Sequence, residues 1–302
     1  MDVDAIQIHF SQDALWLLNL CLAIIMFGVA LELSPSDFKR LWQHPKSSLL
    51  GILSQFILLP AITFLLILVL KPIPSVALGM MLVAACPGGN ISNFMTHLAG
   101  GNAALSVSLT AFATIAAIFM TPFNLQFWGS LYAPTAEILK TVSIDPWQIF
   151  QTIALILGIP IILGMWLKKI RPGPATNMAR WLKPLSILIF IGFVVVAFTM
   201  NLDIFLQVIH LVIMLVFIHN GIALSTGFLL ATVFSLPKAD RKTLTIETGI
   251  QNSGLGLLLI FTFFDGLGGM AIIAAWWGIW HILSGLTIGW FWSRKIQPAP
   301  AL

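Results

Sequence analysis

The chain has 302 residues, of which 59% are hydrophobic and 9% are charged, and its formal net charge is +4. Soluble domains carry roughly 25% charged residues, so these few charges cannot cover the surface of a water-soluble protein of this length. The composition therefore excludes a cytosolic enzyme, a disordered scaffold and a nucleic-acid binder, and it indicates a polytopic protein of the lipid bilayer.

Nine apolar segments are long enough to cross a bilayer, which takes about 20 helical residues. In chain order they are residues 12–33, 47–70, 75–98, 103–122, 147–167, 182–200, 205–234, 240–263 and 269–293. We expect no cleavable signal peptide, because Asp2, Asp4 and Asp13 stand where a basic region belongs. The sequence thus predicts an all-α protein with nine transmembrane helices in one membrane transport domain, 1–302. Its longest polar connections are expected at 124–146 and 168–183.

The basic residues predict an orientation. If the N-terminus lies outside, only Lys71 and Lys140 fall on the outer side, and the other basic residues fall in cytoplasmic connections. This cytoplasmic set comprises Lys39, Arg40, Lys46, Lys168, Lys169, Arg171, Arg180, Lys183, Lys238, Arg241, Lys242, Arg294 and Lys295. We therefore expect a multi-pass protein of the cell membrane with a cytoplasmic C-terminus. The net positive charge is explained by the orientation in the membrane, so it does not indicate a nucleic-acid partner. No obligate protein partner is evident from the sequence.

Two of the nine spans contain residues that interrupt a helix. The third contains C-P-G-G-N-I-S-N at 86–93, where Pro87 removes a backbone donor and two glycines follow. The eighth contains E-T-G-I-Q-N-S-G at 247–254, which combines an acid, two amides and glycines. Unwound backbone at membrane depth persists only where protein or a wet cavity satisfies it.

The two interrupted spans are five elements apart, so their chain directions across the membrane are opposite. Their neighbours correspond as well, since the second span carries Gln55 and the seventh carries His219 and Asn220. Paired broken spans in two inverted halves point to a secondary transporter. We place the first repeat at about 12–122 and the second at about 147–293. The alternative is that Gly and Pro only let the helices pack closely.

Glu247 is the residue that most needs a function, because a charge at the bilayer centre costs about 3 kcal/mol on insertion scales. Gln251 lies four residues on and would share its face in a helix, and Ser106 and Thr110 have the same spacing. Such oxygens suit a hard cation. Two alternatives remain open, namely a neutral Glu247 that packs through hydrogen bonds and a Glu247 that relays protons.

A hydrolase is the second class of function that we consider. Ser253 would be the nucleophile and His281, on the last span, the base, but no third orienting acid is evident. His281 could equally donate to an anionic substrate. A channel is a further alternative, although nothing in the sequence looks like a ring-forming filter.

These motifs together resemble the bile acid:sodium symporter family. C-P-G-G-N-I-S-N at 86–93 is similar to its fourth-helix region, and E-T-G-I-Q-N-S-G at 247–254 to its ninth-helix signature. Trp280-His281 resembles its tenth helix. The similarity covers essentially the whole chain and is closer to a nine-span form than to ten-helix members. It implies core and panel domains, a four-plus-five inverted repeat and two discontinuous helices that cross in the core.

The resemblance also implies two sodium ions and an organic-anion substrate. The first ion would bind to Ser92, Asn93, Ser106, Thr110 and Glu247. The second would bind to Gln55, Glu247 and Gln251, and to backbone oxygens of Thr248 and Ile250. The anion would bind near Asn90, Asn252 and His281. Ile282 departs from the His-Asn pair of some relatives, so the identity of the anion stays open.

The function expected from the sequence is therefore sodium-coupled symport of an organic anion by alternating access, not an enzymatic reaction. A proton-coupled transporter that uses Glu247 is the main alternative, and the Ser253–His281 hydrolase is a more distant one.

Overall fold

A computed structural model describes residues 12–142, 145–200 and 202–294. In this part of the chain there are thirteen helices and no strand, which confirms the all-α prediction. The helices are α1 (Gln12–Ala30), α2 (Pro35–Gln43), α3 (Pro45–Leu70), α4 (Pro74–Ala85), α5 (Ile91–Leu98), α6 (Ala103–Leu131), α7 (Ala133–Val142), α8 (Pro146–Ile170), α9 (Pro172–Met200), α10 (Leu202–Val233), α11 (Lys238–Gly249), α12 (Ser253–Phe263) and α13 (Gly268–Ser293).

Five helices are long and apolar enough to cross a membrane: Pro45–Leu70, Ala103–Leu131, Pro146–Ile170, Val212–Val233 and Gly268–Ser293. The bent pair Asn19–Ala30 and Pro35–Gln43 adds a sixth if it is one span. The predicted third and eighth spans are each divided into two shorter helices. The predicted sixth span lies in α9, where most side chains are outside the described residues, as are both chain ends. Nine spans and the orientation stay predictions.

Both predicted polar connections are largely helical. Residues 124–131 continue α6 past Pro122, and α7 follows directly, so most of 124–146 is helical. Residues 168–183 are helical as well, except at the junction of α8 and α9. Pro172 and Pro174 are compatible with this helix, because they fall in the first turn of α9, where proline's missing N–H is not needed.

A π turn at Ser54–Leu58 interrupts the α-helical winding of α3. Pro60 cannot donate to the carbonyl four residues before it, that of Phe56. Asn124 of α6 donates to this carbonyl instead, with Nδ2 3.1 Å from the oxygen. Such turns are frequent at functional positions, and this one carries Gln55, whose side chain is buried.

The short helices α4 and α12 form the centre of the protein. Every residue of α4 after Pro74 is buried, and so are the first nine residues of α12. The helix α13 packs against both, and α6 packs along α4. The helices α1, α8 and α9 pack against one another. The helices α4 and α12 each adjoin a break in the winding, so the protein interior can supply partners for the unwound backbone there.

Candidate functional site

The first broken helix consists of α4 and α5, which residues 86–90 separate. The backbone leaves the helix at Cys86, which is extended (φ −70°, ψ 155°), and Pro87 follows. The carbonyl of Ala85, the last residue of α4, accepts a hydrogen bond from Thr121 Oγ1 at 2.8 Å. This side chain of α6 thus satisfies a carbonyl that the helix end leaves without a partner.

The second broken helix consists of α11 and α12, which residues 250–252 separate. Ile250 is extended (φ −108°, ψ 100°), and Asn252 caps the next helix, with Oδ1 accepting from the backbone N–H of Leu255 at 3.0 Å. Both predicted breaks are therefore present. Because α11 ends at Gly249, Gln251 does not share a helical face with Glu247, contrary to the sequence argument.

The two breaks contact each other through their backbones. Gly89 N donates to Ile250 O at 2.8 Å, and Asn252 N donates to Pro87 O at 2.8 Å. These bonds form an isolated antiparallel bridge between Gly88 and Gln251. The unwound segments thus satisfy part of each other's backbone, and the chains run in opposite directions at this point, as the sequence predicts.

Glu247 lies beside this bridge with 2% of its surface exposed. Its Oε1 accepts from Ser92 Oγ at 2.6 Å and from Ser106 Oγ, and its Oε2 accepts from Thr110 Oγ1 at 3.0 Å. Three helices, α5, α6 and α11, therefore place their polar side chains around one carboxylate. In the described part of the chain, all its side-chain partners are neutral hydroxyls.

The hydrogen-bond acceptors around Glu247 outnumber the hydroxyl hydrogens that could bond to them. Ser106 has one hydroxyl hydrogen, yet its Oγ is within bonding distance of Glu247 Oε1, of Asn93 Oδ1 at 2.8 Å and of Thr96 Oγ1 at 3.3 Å. Thr110 Oγ1 likewise lies 3.2 Å from Asn93 Oδ1 as well as near the carboxylate. All five residues predicted for the first ion are thus together, with Thr96 in addition.

A second group of polar atoms lies on the other side of Gly88. A Cβ on Gly88 would be 2.6 Å from Gln55 Nε2 and 3.2 Å from Glu247 Oε2, so the missing side chain leaves the space that these groups share. Gln55 Nε2 and Gln251 Oε1 are buried and make no hydrogen bond among the described residues. The side chains of Gln55 and Glu247 therefore lie near each other at Gly88, and Gln251 pairs with Gly88 through the backbone bridge.

The two backbone oxygens predicted for the second ion already accept hydrogen bonds. Thr248 O accepts from Gln251 Nε2 at 2.8 Å, and Ile250 O accepts from Gly89 N in the bridge. The Thr248 side chain is held separately, because its Oγ1 lies 2.6 Å from Ser54 Oγ of the π turn. Thr248 O keeps a second lone pair that a cation could use, and the oxygen of the Gln251 amide is unpaired.

These groups fit an alkali cation chemically. Hard cations prefer oxygen ligands, and the region offers carboxylate, hydroxyl and amide oxygens. A hydroxyl can donate to Glu247 and present a lone pair to a cation at once. The unpaired oxygen belongs to Gln251, which the resemblance implies as a ligand of the second ion.

The three residues predicted for the organic anion differ in their surroundings. Asn252 uses its side-chain oxygen to cap α12, whereas Asn90 Oδ1 and the Nδ1 of buried His281 have no hydrogen-bond partner among the described residues. Within those residues no hydrogen bond joins the three, and none joins Ser253 to His281. The structure therefore gives the proposed hydrolase pair no contact.

Several residues near the site were not assigned to it from the sequence. Thr96 lies four residues after Ser92 on α5, a spacing that could have shown that both share a face. Asn220 donates to Gly249 O at 2.8 Å, and Ser54 contacts Thr248. The sequence marks Asn220 only as a polar residue of the seventh span, and neither partner follows from a local pattern, because both lie on helices far along the chain.

Comparison with known proteins identifies the family. The sequence profile of the Sodium Bile acid symporter family matches residues 19–208. The chain belongs to this family. A Bacillus subtilis protein named "Uncharacterized sodium-dependent transporter YocS" is 33% identical over 284 residues, 94% of this chain and 85% of its own length.

Two longer relatives extend this comparison. The human P3 protein is 33% identical over 256 residues, and "Probable sodium/metabolite cotransporter BASS1, chloroplastic" of Arabidopsis thaliana is 27% identical over 279 residues. The matches cover 83% and 91% of this chain, but 52% and 66% of those relatives. The chain thus spans about half the length of the P3 protein. This family consists of sodium-dependent transporters, so the chain is a multi-pass membrane protein.

Proposed function

We propose that this protein is a symporter that moves an organic anion together with sodium. The printed names of its relatives support sodium coupling, since YocS is called a sodium-dependent transporter and BASS1 a sodium/metabolite cotransporter. A rat relative, 30% identical, is called a sodium/bile acid cotransporter.

The main support is the crowding of oxygens around buried Glu247. Ser92, Ser106 and Thr110 each supply one hydrogen, while Asn93 and the carboxylate supply further acceptors. A sodium ion in this cluster would neutralise the carboxylate and use the spare lone pairs. The same ion would reduce the cost of a charge at membrane depth, about 3 kcal/mol on insertion scales.

A second sodium ion would bind beside Gly88. Gln55, Gln251 and Glu247 supply side-chain groups there, and Thr248 O and Ile250 O supply backbone oxygens. Thr248 O can offer its second lone pair, and a turn of the Gln251 amide away from Thr248 O would bring its unpaired oxygen to the ion as a further ligand. Glu247 would serve both ions and make their binding interdependent.

The organic anion would bind next to the crossing. The helices α5 and α12 both begin there, at Ile91 and Ser253, and helix N-termini carry partial positive charge. Asn90 and His281 have unpaired polar atoms that could orient a carboxylate or a similar group. Two sodium ions with a monoanion carry one net positive charge inward, which contributes about 2.3 kcal/mol at 100 mV.

Alternating access would come from movement of one packed group of helices against another. The group α1, α8 and α9 packs together and does not include the broken helices. With sodium bound, the crossing would be ordered and able to hold the anion, so sodium and substrate should raise each other's affinity. We place this cycle in the cell membrane, with the N-terminus outside, on the distribution of basic residues.

Uptake by membrane vesicles tests the proposal. A panel of labelled sterol conjugates, keto acids and pantothenate-like acids is offered at one fixed pH, with an inward sodium or an inward potassium gradient. We expect at least one acid to accumulate only with sodium. We also expect Glu247→Ala and Gln251→Ala to lower this uptake at least tenfold, since each removes a sodium ligand.

Glu137→Ala is the matched control, because this acid is exposed on α7. Accumulation that follows a proton gradient and is indifferent to sodium would favour the proton-coupled alternative. Wild-type sodium-driven uptake in Glu247→Ala would refute the assignment of the site.

A further inference from the structure

We infer that Asn220 and Ser284 are positioning residues that connect the second break to α13, so that sodium binding at the break also orders α13. This inference rests on the proposed function, because it assumes that sodium binds at the break. It concerns residues that lie outside both proposed sodium sites and the proposed anion site.

The amide of Asn220 has a single possible orientation. Its Nδ2 donates to Gly249 O at 2.8 Å, and a carbonyl oxygen can only accept, so the nitrogen must face Gly249. Its Oδ1 consequently faces Ser284, whose Oγ donates to it at 2.7 Å. Asn220 is fully buried, so both bonds are shielded from water. The side chain is thus held between α11 and α13.

Gly249 is the residue through which a change at the break would reach Asn220. It is the last residue of α11 and lies between Thr248 and Ile250, whose carbonyls are proposed to bind sodium. The Gln251 amide could leave Thr248 O when the ion binds. The next carbonyl along the chain, Gly249 O, is the one that accepts the hydrogen bond from Asn220. The orientation of the peptide that carries Gly249 O is therefore coupled to whether the ion is present.

Ser284 connects Asn220 to the part of α13 that carries His281. Its Oγ also lies 3.1 Å from the carbonyl of His281, one turn earlier. The same helix approaches the break directly, since a Cβ on Gly285 would be 2.9 Å from Ile250 Cδ1. A displacement of the break thus reaches α13 by a hydrogen-bonded route and by packing, and Ser284 can be removed without changing the packing.

The helix α10 that carries Asn220 is itself held in place. Its His219 Nε2 lies 2.7 Å from Thr63 Oγ1 of α3, and its ring lies edge-on to Trp277 of α13, with centroids 4.8 Å apart. The contact with Thr63 ties α10 to α3, so we expect Asn220 to shift less than Gly249 and movement of Gly249 to reach Ser284.

Hydrogen–deuterium exchange in sodium and in potassium at equal ionic strength tests the inference with the metal ion alone. In the wild type we expect sodium to slow exchange about threefold or more, both at the break (residues 246–254) and in α13 (residues 278–288). Ser284→Ala should keep the sodium effect at the break and lose most of it in α13. Ser284→Thr, which retains a hydroxyl, should restore the effect in α13.

Thr287→Ala is the matched control, because that hydroxyl donates only to its own helix, to Leu283 O at 2.7 Å. It should respond to sodium like the wild type. If α13 in Ser284→Ala still responds fully, the inference is wrong while the proposed function stands. If the wild-type break does not respond to sodium at all, the proposed function fails, and the inference fails with it.

Discussion

Glu247 shows how a single side chain can be tolerated in an apolar interior. Its carboxylate is 2% exposed and receives hydrogen bonds from Ser92, Ser106 and Thr110. Hydrogen bonds to charged groups contribute about 1.5–3 kcal/mol each, so these partners offset part of the cost of burial. They leave the net charge in place, and a cation would remove it.

Gly88 is the position at which the second group of ligands is most sensitive to substitution. In Gly88→Ala, the new Cβ would lie 2.6 Å from Gln55 Nε2 and 3.2 Å from Glu247 Oε2, so both groups must move. We expect sodium affinity to fall at least tenfold, as measured by titrating sodium against the apparent unfolding temperature of the purified protein.

Gly173→Ala is the control for this substitution, because a Cβ at Gly173 meets nothing within 4 Å. It should titrate like the wild type. Unchanged sodium affinity in Gly88→Ala would show that the space over this glycine is not part of the ion site.

Some of these positions could be predicted from residue spacing and others could not. Ser106 and Thr110 are four residues apart in an unbroken helix, so their shared face follows from helical geometry. The same argument failed for Glu247 and Gln251, because the chain leaves the helix at Gly249. The break instead pairs with Gly88 through the backbone of Gln251, and no local pattern in the sequence shows this pairing.

The contact between α6 and α11 is a row of polar pairs that fixes their register. Asp240, Thr243 and Glu247 share one face of α11, at spacings of three and four residues. Asn102 Nδ2 donates to Asp240 at 2.8 Å, and Asn102 N donates to Thr243 Oγ1 at 2.8 Å. Ser106 then meets Glu247 one turn further along α6. The row therefore sets the height at which Glu247 reaches its hydroxyl partners.

Asp240 is the end of this row that can be tested without touching the ion site. Its second oxygen accepts from Ser47 Oγ of α3 at 2.6 Å, so the acid joins three helices. In Asp240→Ala, the buried hydroxyl of Ser47 and the partly buried amide of Asn102 lose their acceptor. We expect a stability loss of about 2–4 kcal/mol, seen as a lower unfolding temperature in sodium-free buffer.

Asp240→Asn is the control, because it retains one acceptor oxygen and the size of the side chain. It should lose less stability than Asp240→Ala. If Asp240→Ala unfolds at the wild-type temperature, the row does not hold α11 in place.

The sequence predicts the breaks within α4–α5 and α11–α12 but not the partners of these helices. Proline and paired glycines act on the backbone where they stand, so they mark an interruption locally. The bond between Asn102 and Asp240 joins residues 138 positions apart. Neither residue differs in its local context from an ordinary helix end. Their pairing is decided by the packing of whole helices.

Composition determines the class of the molecule but not its detailed topology. A chain with 9% charged residues must belong to the membrane, and five described helices are long and apolar enough to span it. The segment 124–146 was expected to be a polar connection, yet α6 and α7 cover most of it. A helix can continue through a segment with a moderate share of polar residues. Composition alone therefore does not predict accurately where a span ends.

The packing of the broken helices separates the proposed ion sites from the helices that are proposed to move. The helices α4 and α12 are buried at the centre, whereas α1, α8 and α9 pack together beside them. The proposed ion sites take their residues from α3, α5, α6, α11 and the break at 250–252, and none from α1, α8 or α9. Movement of these last three helices could therefore change access without breaking the Glu247 cluster, as alternating access requires.

Sodium-dependent stabilisation of the purified protein tests the Glu247 site most directly. At fixed pH and ionic strength, sodium should raise the wild-type unfolding temperature relative to potassium. A sodium concentration of one hundred times Kd stabilises the folded protein by about 2.7 kcal/mol. Ser106→Ala and Glu247→Ala should lose most of this response. Ser108→Ala, whose hydroxyl donates to Ala104 O of its own helix at 2.9 Å, should keep it. Equal unfolding temperatures of the wild type in sodium and potassium, or a full sodium response in Glu247→Ala, would contradict the account.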